Sequence, residues 1–334
     1  MTQATMAPNP ILQQTIERIS EETAAVESVI FEAIQSPVKL VQDVATLTLS
    51  AGGKRLRPAF LLLAGRMVNP DPDVKRLRSL AACMEIVHMA TLVHDDVIDE
   101  AATRRGKPTA ASVFGNTAAI MSGDVFLAKA MTILANDGDI ETFRSLCAAV
   151  GELAEGEVLE LEARGNFYLD EESHLRILRM KTASFISCCC ELGAIVGGAT
   201  AMQRATLAQF GHHIGMAFQL ADDLLDYRGD TKMTGKPIAT DFADGQATLP
   251  LIRLRSQLNP QELEYVFSRF GNNVDTSVVD RLRDWMEQRG CFEASEQLAR
   301  HHVSQARDLI STLPDSEARD MMVAISDYVL SRNS

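Results

Sequence analysis

No proline interrupts the chain between Pro108 and Pro237. That interval is rich in Ala, Leu, Glu and Met, residues that lose little on entering a helix, so it reads as successive helices. Outside it, Pro, Gly and Asn punctuate the sequence. Breaks are expected near 50–57, 69–73, 104–108, 136–139, 166–172, 230–245, 259–262 and Pro314. Two-residue alternation of β-branched residues is almost absent, which argues against strands. The pattern predicts an all-α fold, a single large bundle of about ten or more helices. No repeat, low-complexity tract or long linker divides the 334 residues. One domain over 1–334 is therefore expected, with residues 1–10 as a flexible leader.

Composition narrows the partners. Lys and Arg number 32 against 45 Asp and Glu, a net charge of −13. Nothing in that balance offsets phosphate repulsion, so nucleic acid and anionic lipid are excluded as bulk partners. The hydrophobic share of 46% is ample for a packed core. The best apolar stretch, 185–202, is broken by Glu191 and several glycines, and no transmembrane span is expected. The N-terminus lacks the basic-then-apolar layout of a signal peptide. Six cysteines (83, 147, 188, 189, 190 and 291) show no CxxC spacing. They read as small buried residues of a reducing compartment, which favours a cytoplasmic location.

Two segments carry chemistry: LVHDDVID, from Leu92, and QLADDLLD, from Gln219. Each sets aspartates at i, i+1 and i+4 within apolar surroundings, so Asp95 and Asp99, and likewise Asp222 and Asp226, fall on one helix face. A single such motif is as well explained by a solvated helix face. Two copies embedded in apolar sequence are not, because like charges so placed repel unless divalent cations lie between them. Oxygen-only donors point to Mg²⁺, which completes its shell with water and substrate phosphate. Cations concentrate at Gly52-Gly53-Lys54-Arg55-Leu56-Arg57 and at Arg104-Arg105-Gly106-Lys107. The first reads as a helix start, where positive charge is unfavourable unless an anion binds. The second reads as the end of the helix bearing Asp99, where one arginine is ordinary but two with a lysine are not.

With these residues in place, the chain resembles the trans-isoprenyl diphosphate synthases, or polyprenyl synthetases. The likeness rests on GGKRLRP from Gly52, EIVHMATLVHDDVID from Glu85, RRGKPT from Arg104, Gly123-Asp124, KTA from Lys181 and GMAFQLADDLLD from Gly215. The tail GKPIATDFADGQATLP, from Gly235, matches less well: Ala239 stands where glycine is common and Gln246 where lysine is common. The resemblance implies an all-α bundle around a deep central cavity, usually a homodimer. It also implies transfer of an allylic prenyl group to isopentenyl diphosphate. Carried over, Asp95, Asp99 and Asp222 ligate Mg²⁺, while Asp96, Asp223 and Asp226 act through waters and supporting bonds. Arg104, Lys181, Thr182, Gln219 and Lys236 hold the allylic diphosphate. Lys54, Arg57, His88 and Arg105 hold isopentenyl diphosphate. The catalytic set is Asp95, Asp99, Lys181 and Asp222. His88 precedes Asp95 by two helical turns and so shares its face. His94, His212 and His213 read as surface or packing residues.

The implied reaction breaks the allylic C1–O bond toward a cation, which the isopentenyl double bond attacks before a proton leaves to the released diphosphate. Preorganised charge and exclusion of water are what such a step needs. Product length is implied to depend on Ala90 and Thr91, just before the first aspartates, and on the helix after Asp124 at Met131, Ile133 and Leu134. An aromatic near Ala90 would block a growing chain; alanine leaves the way open, so a product longer than farnesyl is expected. Geranylgeranyl diphosphate synthesis is the alternative. A class I terpene cyclase and a non-catalytic partner subunit are rivals. The two intact aspartate motifs weigh against both, and the paucity of aromatics weighs further against the cyclase.

Overall fold

The computed structural model describes residues 10–229, 238–272 and 274–331. Lys236 and the leader up to residue 9 lie outside them. Pro10, grouped with the leader on sequence grounds, is the first residue of α1. Among the described residues there are sixteen α-helices and one two-residue hairpin, so the fold is all-α. In order they are α1 (Pro10–Ala33), α2 (Lys39–Ser50), α3 (Leu56–Val68), α4 (Val74–Ile98), the strands Thr103–Arg104 and Lys107–Pro108, α5 (Ala110–Phe114), α6 (Asn116–Asp137), α7 (Ile140–Ala163) and α8 (Glu171–Leu178). A π-helical turn, Arg179–Ala183, leads into α9 (Ser184–Val196) and then α10 (Ala201–Arg228). The remainder comprises α11 (Thr240–Ala243), α12 (Leu249–Arg255), α13 (Pro260–Phe267), α14 (Thr276–Gln288), α15 (Cys291–Ser311) and α16 (Glu317–Ser331).

The expected breaks coincide with caps. Asp73 accepts from the Arg76 N–H, Thr109 from Ser112 and Asp170 from Ser173. Asn259 and Glu262 form a reciprocal capping box with Pro260 at the first helical position. The hairpin is a departure: Arg104-Arg105-Gly106-Lys107 is not a helix end but a tight turn beyond it. Arg105 and Gly106 both have positive φ, 53° and 74°, the geometry of a two-residue hairpin whose twist matches its strands.

The chain divides into two compact units. Unit 1 comprises 1–146, 189–205 and 314–324; unit 2 comprises 147–188, 206–313 and 325–334. In unit 1, α4 is buried along most of its length against α1, α3 and α6, with Phe60, Leu61, Leu80, Ile86 and Phe126 in its core. The α6 helix is long and apolar enough to span a bilayer, with mean hydropathy 1.5, whereas the sequence pointed to 185–202 as its best apolar stretch. Ala119, Phe126, Ala130 and Leu134 of α6 are buried, and the Cys83 thiol of α4 reaches the Ala130 carbonyl at 3.2 Å. Unit 2 packs Phe167, Leu224, Tyr227, Phe242, Leu282 and Phe292 into one cluster. All six cysteines are thiols rather than disulfide halves, and five are buried.

Candidate active site

In unit 1 the first aspartate motif closes α4. Asp95 is half-buried, Asp99 is the exposed C-cap and Asp96 is buried, so the i and i+4 pair faces outward while the middle residue turns in. Asp96 accepts from Arg104 Nε at 2.7 Å, which ties the hairpin to α4. Arg105 lies across the Gly-Gly break, donating to the Gly52 carbonyl. A Cβ on Gly53 would come within 2.7 Å of that guanidinium, so the second glycine makes room for the arginine. Lys107 donates to the Ser50 carbonyl at the end of α2, where a cation is favoured.

Arg55 is the N-cap of α3, in the left-handed region at φ 49°, and it is buried. Its guanidinium donates to Glu85 Oε1 at 2.6 Å and Glu27 Oε1 at 2.8 Å. Among the described residues, three of the four non-glycine residues with positive φ (Arg55, Glu100 and Arg105) belong to this region, and such strain persists only where surrounding structure enforces it. Arg57 Nη1 donates to His88 Nε2 at 3.1 Å. Burial, then Arg57, Arg105, Arg104 and Arg55 in turn, hold His88 well below the usual imidazole range. A neutral His88 thus faces a group of arginines. A small cleft is lined by Arg55, His88, Asp96, Arg104 and Arg105. Of the expected isopentenyl diphosphate residues, His88 and Arg105 line the cleft and Arg57 reaches His88, whereas Lys54 is exposed; neither Arg57 nor Lys54 lines it. A roomier cavity between α1, α3 and α16 contains none of the expected site residues.

The product-length positions are also in unit 1. Ala90 and Leu134 are fully buried, and Thr91 turns its hydroxyl back to the His88 carbonyl at 2.9 Å.

In unit 2 the π turn carries Lys181 and Thr182; such turns widen a helix by one residue and recur at functional sites. Two glycines allow close approach to it. A Cβ on Gly215 of α10 would lie 2.5 Å from Ala183 Cα, and one on Gly156 of α7 would lie 2.8 Å from the Lys181 nitrogen. Lys181 pairs with Glu160 and, at 3.2 Å, with Glu157. Thr182 donates to Gln219 Oε1 at 3.0 Å, and Gln219 Nε2 reaches Asp223 Oδ1 at 3.3 Å. Thr182 and Gln219 are therefore linked to the second motif, and Lys181 is paired with the α7 glutamates. Asp223 is buried and accepts from His174 Nε2 at 3.0 Å, while Asp222 is half-buried.

Asp226 caps α11, accepting from the Thr240 N–H and the Asp241 N–H, each at 3.1 Å. Burial raises its carboxyl above the ordinary range, opposed by those bonds and reinforced by Asp223. Burial pushes Asp241 further up, with Asp226, Asp223, Glu160 and Asp244 adding repulsion. Added positive charge would relieve this repulsion, although among the described residues no three His, Cys, Asp or Glu side chains converge closely enough to hold a metal ion.

Arg55, Glu85, Glu157, Glu160, His174 and Asp241 were missed as site residues in the sequence. Arg55, Glu85 and Asp241 lie inside the quoted motifs, and Glu157 and Glu160 sit one turn apart on α7. His174 has no sequence signal.

The helical framework, with cations and carboxylates gathered in it, is that of isoprenyl diphosphate synthases. A decaprenyl diphosphate synthase from Rhodobacter capsulatus superposes with a TM-score of 0.90 at 33% identity, covering 97% of this chain and 99% of that one. A polyprenyl synthase from Caulobacter crescentus CB15, solved with calcium and isoprenyl diphosphate, gives 0.89 at 30% identity over 100% of both chains. In sequence, the octaprenyl diphosphate synthase of Escherichia coli is 31% identical over 96% of this chain and 99% of its own length. The heptaprenyl diphosphate synthase component 2 of Geobacillus stearothermophilus is 33% identical over 94% and 97%. Residues 38–286 match the Polyprenyl synthetase family, and the chain belongs to that family. It is a prenyltransferase that elongates prenyl diphosphates.

Proposed function

We propose that the enzyme condenses isopentenyl diphosphate head to tail with an allylic prenyl diphosphate, giving an all-trans polyprenyl diphosphate longer than farnesyl. The observation that carries this reading is the unit 1 cleft, where Arg55, Arg104 and Arg105 surround a neutral His88 beside the α4 aspartates. Arg55 is matched by Glu85 and Glu27 and Arg104 by Asp96, while burial and the neighbouring arginines hold Arg105 below its ordinary range, a strain that a bound anion would relieve.

Arg57, His88 and Arg105, with Lys54 at the rim, grip isopentenyl diphosphate. Arg104, Lys181, Thr182 and Gln219 orient the allylic diphosphate, joined by Lys236. A divalent cation is general to the family; Asp95, Asp99 and Asp222 would hold Mg²⁺, which would supply charge stabilisation for the departing diphosphate. The C1–O electron pair leaves with diphosphate, and the isopentenyl π pair forms the new bond to C1. The adjacent proton then passes to diphosphate, restoring a double bond. Apolar flanks of α4 and α10 exclude the water that would quench the cation. We place the enzyme in the cytoplasm as a homodimer, supported by its unbridged thiols and by the exposed apolar side chains Val113, Ile120 and Met121 on α5 and α6.

Purified chain incubated with Mg²⁺, an allylic primer and labelled isopentenyl diphosphate should yield linear products longer than farnesyl by chromatography. Cyclic hydrocarbons, or products ending at farnesyl, would refute the reading. A dependence on a different subunit is favoured by the relative named component 2. Turnover by the chain alone removes it.

A further inference from the structure

Four of the seven histidines gather away from the groups assigned to the reaction. His212 and His213 lie on α10, and His301 and His302 on α15. The His213 ring is 5.5 Å from His212 and 5.2 Å from His302, centroid to centroid, and His301 is 6.1 Å from His302. Across the two helices, Nδ1 of His213 and Nδ1 of His302 stand 2.9 Å apart. Two imidazole nitrogens at that distance share one proton: one ring donates N–H and the other offers its lone pair.

We propose that His213 and His302 form a two-imidazole site for a borderline divalent cation of the Zn²⁺, Ni²⁺ or Cu²⁺ kind, which replaces the shared proton and staples α10 to α15. Imidazole suits these ions, whereas Mg²⁺ and Ca²⁺ take oxygen ligands, so the site is chemically separate from the aspartate clusters. Both rings are kept in the neutral, ligating form. Burial, then His213, His212 and His301, bring His302 down to about 4. Burial, then His212 and His301, lower His213. His212 is lowered by burial and by Arg179, so the charged form is disfavoured across the cluster. Zn–N bonds of about 2.0–2.1 Å in a tetrahedral shell set the nitrogens about 3.3 Å apart, so the rings need part by only about 0.4 Å. Both are half-buried, which leaves water access for the remaining positions. Among the described residues no three or more His, Cys, Asp or Glu side chains converge as a cage, so water completes the shell. His213 precedes Asp222 by nine residues, about 13 Å along α10. A bound cation would therefore stiffen the helix carrying the second aspartate motif without touching that motif. The inference does not depend on the condensation reading.

The test uses full-length protein stripped of metal by a chelator, then kept in millimolar Mg²⁺ so that the carboxylates are occupied. Titration with ZnCl₂ by calorimetry should show one equivalent bound per chain, and Zn²⁺ near 100-fold excess over its Kd should raise Tm by about 3 °C. His302→Gln and His213→Gln should each weaken binding by about 10-fold or more, while His301→Gln leaves it within about two-fold. Equal affinity and stoichiometry in His302→Gln and the unaltered chain would overturn the proposal. As a readout that needs no variant, Cu²⁺ bound to the unaltered chain should show electron-spin hyperfine coupling to two imidazole nitrogens. A spectrum without nitrogen coupling would equally overturn it.

Discussion

Ala239 shows how much one side chain can reveal. It is fully buried at φ 57°, a left-handed conformation that an L residue with a Cβ adopts only at a cost. Its carbonyl starts α11 and its N–H donates to the Asp226 carbonyl at 2.7 Å, so the backbone cannot relax elsewhere. Ala239→Gly should therefore stabilise the protein by about 0.5–1 kcal/mol, the relief of strain less the extra freedom of glycine when unfolded. A urea midpoint that falls or stays put would contradict this. Ala90 is the matching case for product length. Ala90→Phe should shift products sharply toward shorter chains, at about 1–3 kcal/mol of overpacking in a fully buried position. Product chromatography and a melting curve read the two effects separately, and unchanged lengths would contradict an open path. The residues visible in sequence were those whose charge is conspicuous against apolar neighbours, such as Asp95, Asp99, Asp222 and Arg105. Arg55 and His174 were not visible, because their significance lies in partners 28 and 49 residues away: Glu27 for Arg55, Asp223 for His174.

Among the elements, helices were legible because caps and breakers are local. The hairpin at Arg104 was not, since two paired residues on each side leave no periodicity to detect. Nor was the π turn, because one extra residue in a helix leaves no mark in residue type. Close helix crossings are similarly silent until the partner is known. Gly193 of α9 is the sharpest: a Cβ there would meet the Leu61 carbonyl of α3 at 2.1 Å. Gly193→Ala must push the two helices apart, and a loss of about 2–3 kcal/mol is expected by denaturant unfolding. The same substitution at Gly151, where a Cβ meets nothing within 4 Å, supplies the control. Equal stability of the two variants would contradict the crossing argument.

Taken as a whole, the molecule couples folding to protons through its histidines. His88, His212, His213 and His302 are all held below the usual imidazole value of 6.5. A depressed folded value means that the unfolded chain takes up protons first on acidification. The stability those residues contribute is present above about pH 6.5 and is lost as pH falls toward about 4 for His302. The raised carboxyls Asp226 and Asp241 act in the opposite sense, so the histidine part is isolated by difference. In metal-free buffer, His302→Gln should lose less stability between pH 7 and pH 5 than the unaltered chain. Identical losses would contradict the assignment.

The widened turn at Arg179–Ala183 also bears on how the chain tolerates length change. The turn absorbs one supernumerary residue within an otherwise regular helix. Excising a single residue there would restore regular hydrogen bonding and keep α9 nearly in phase with α8, but would abolish the widened backbone from which Lys181 and Thr182 project. Single-codon deletions in this stretch should thus yield folded protein with a misaimed ammonium, a genetic lesion distinguishable from any point substitution.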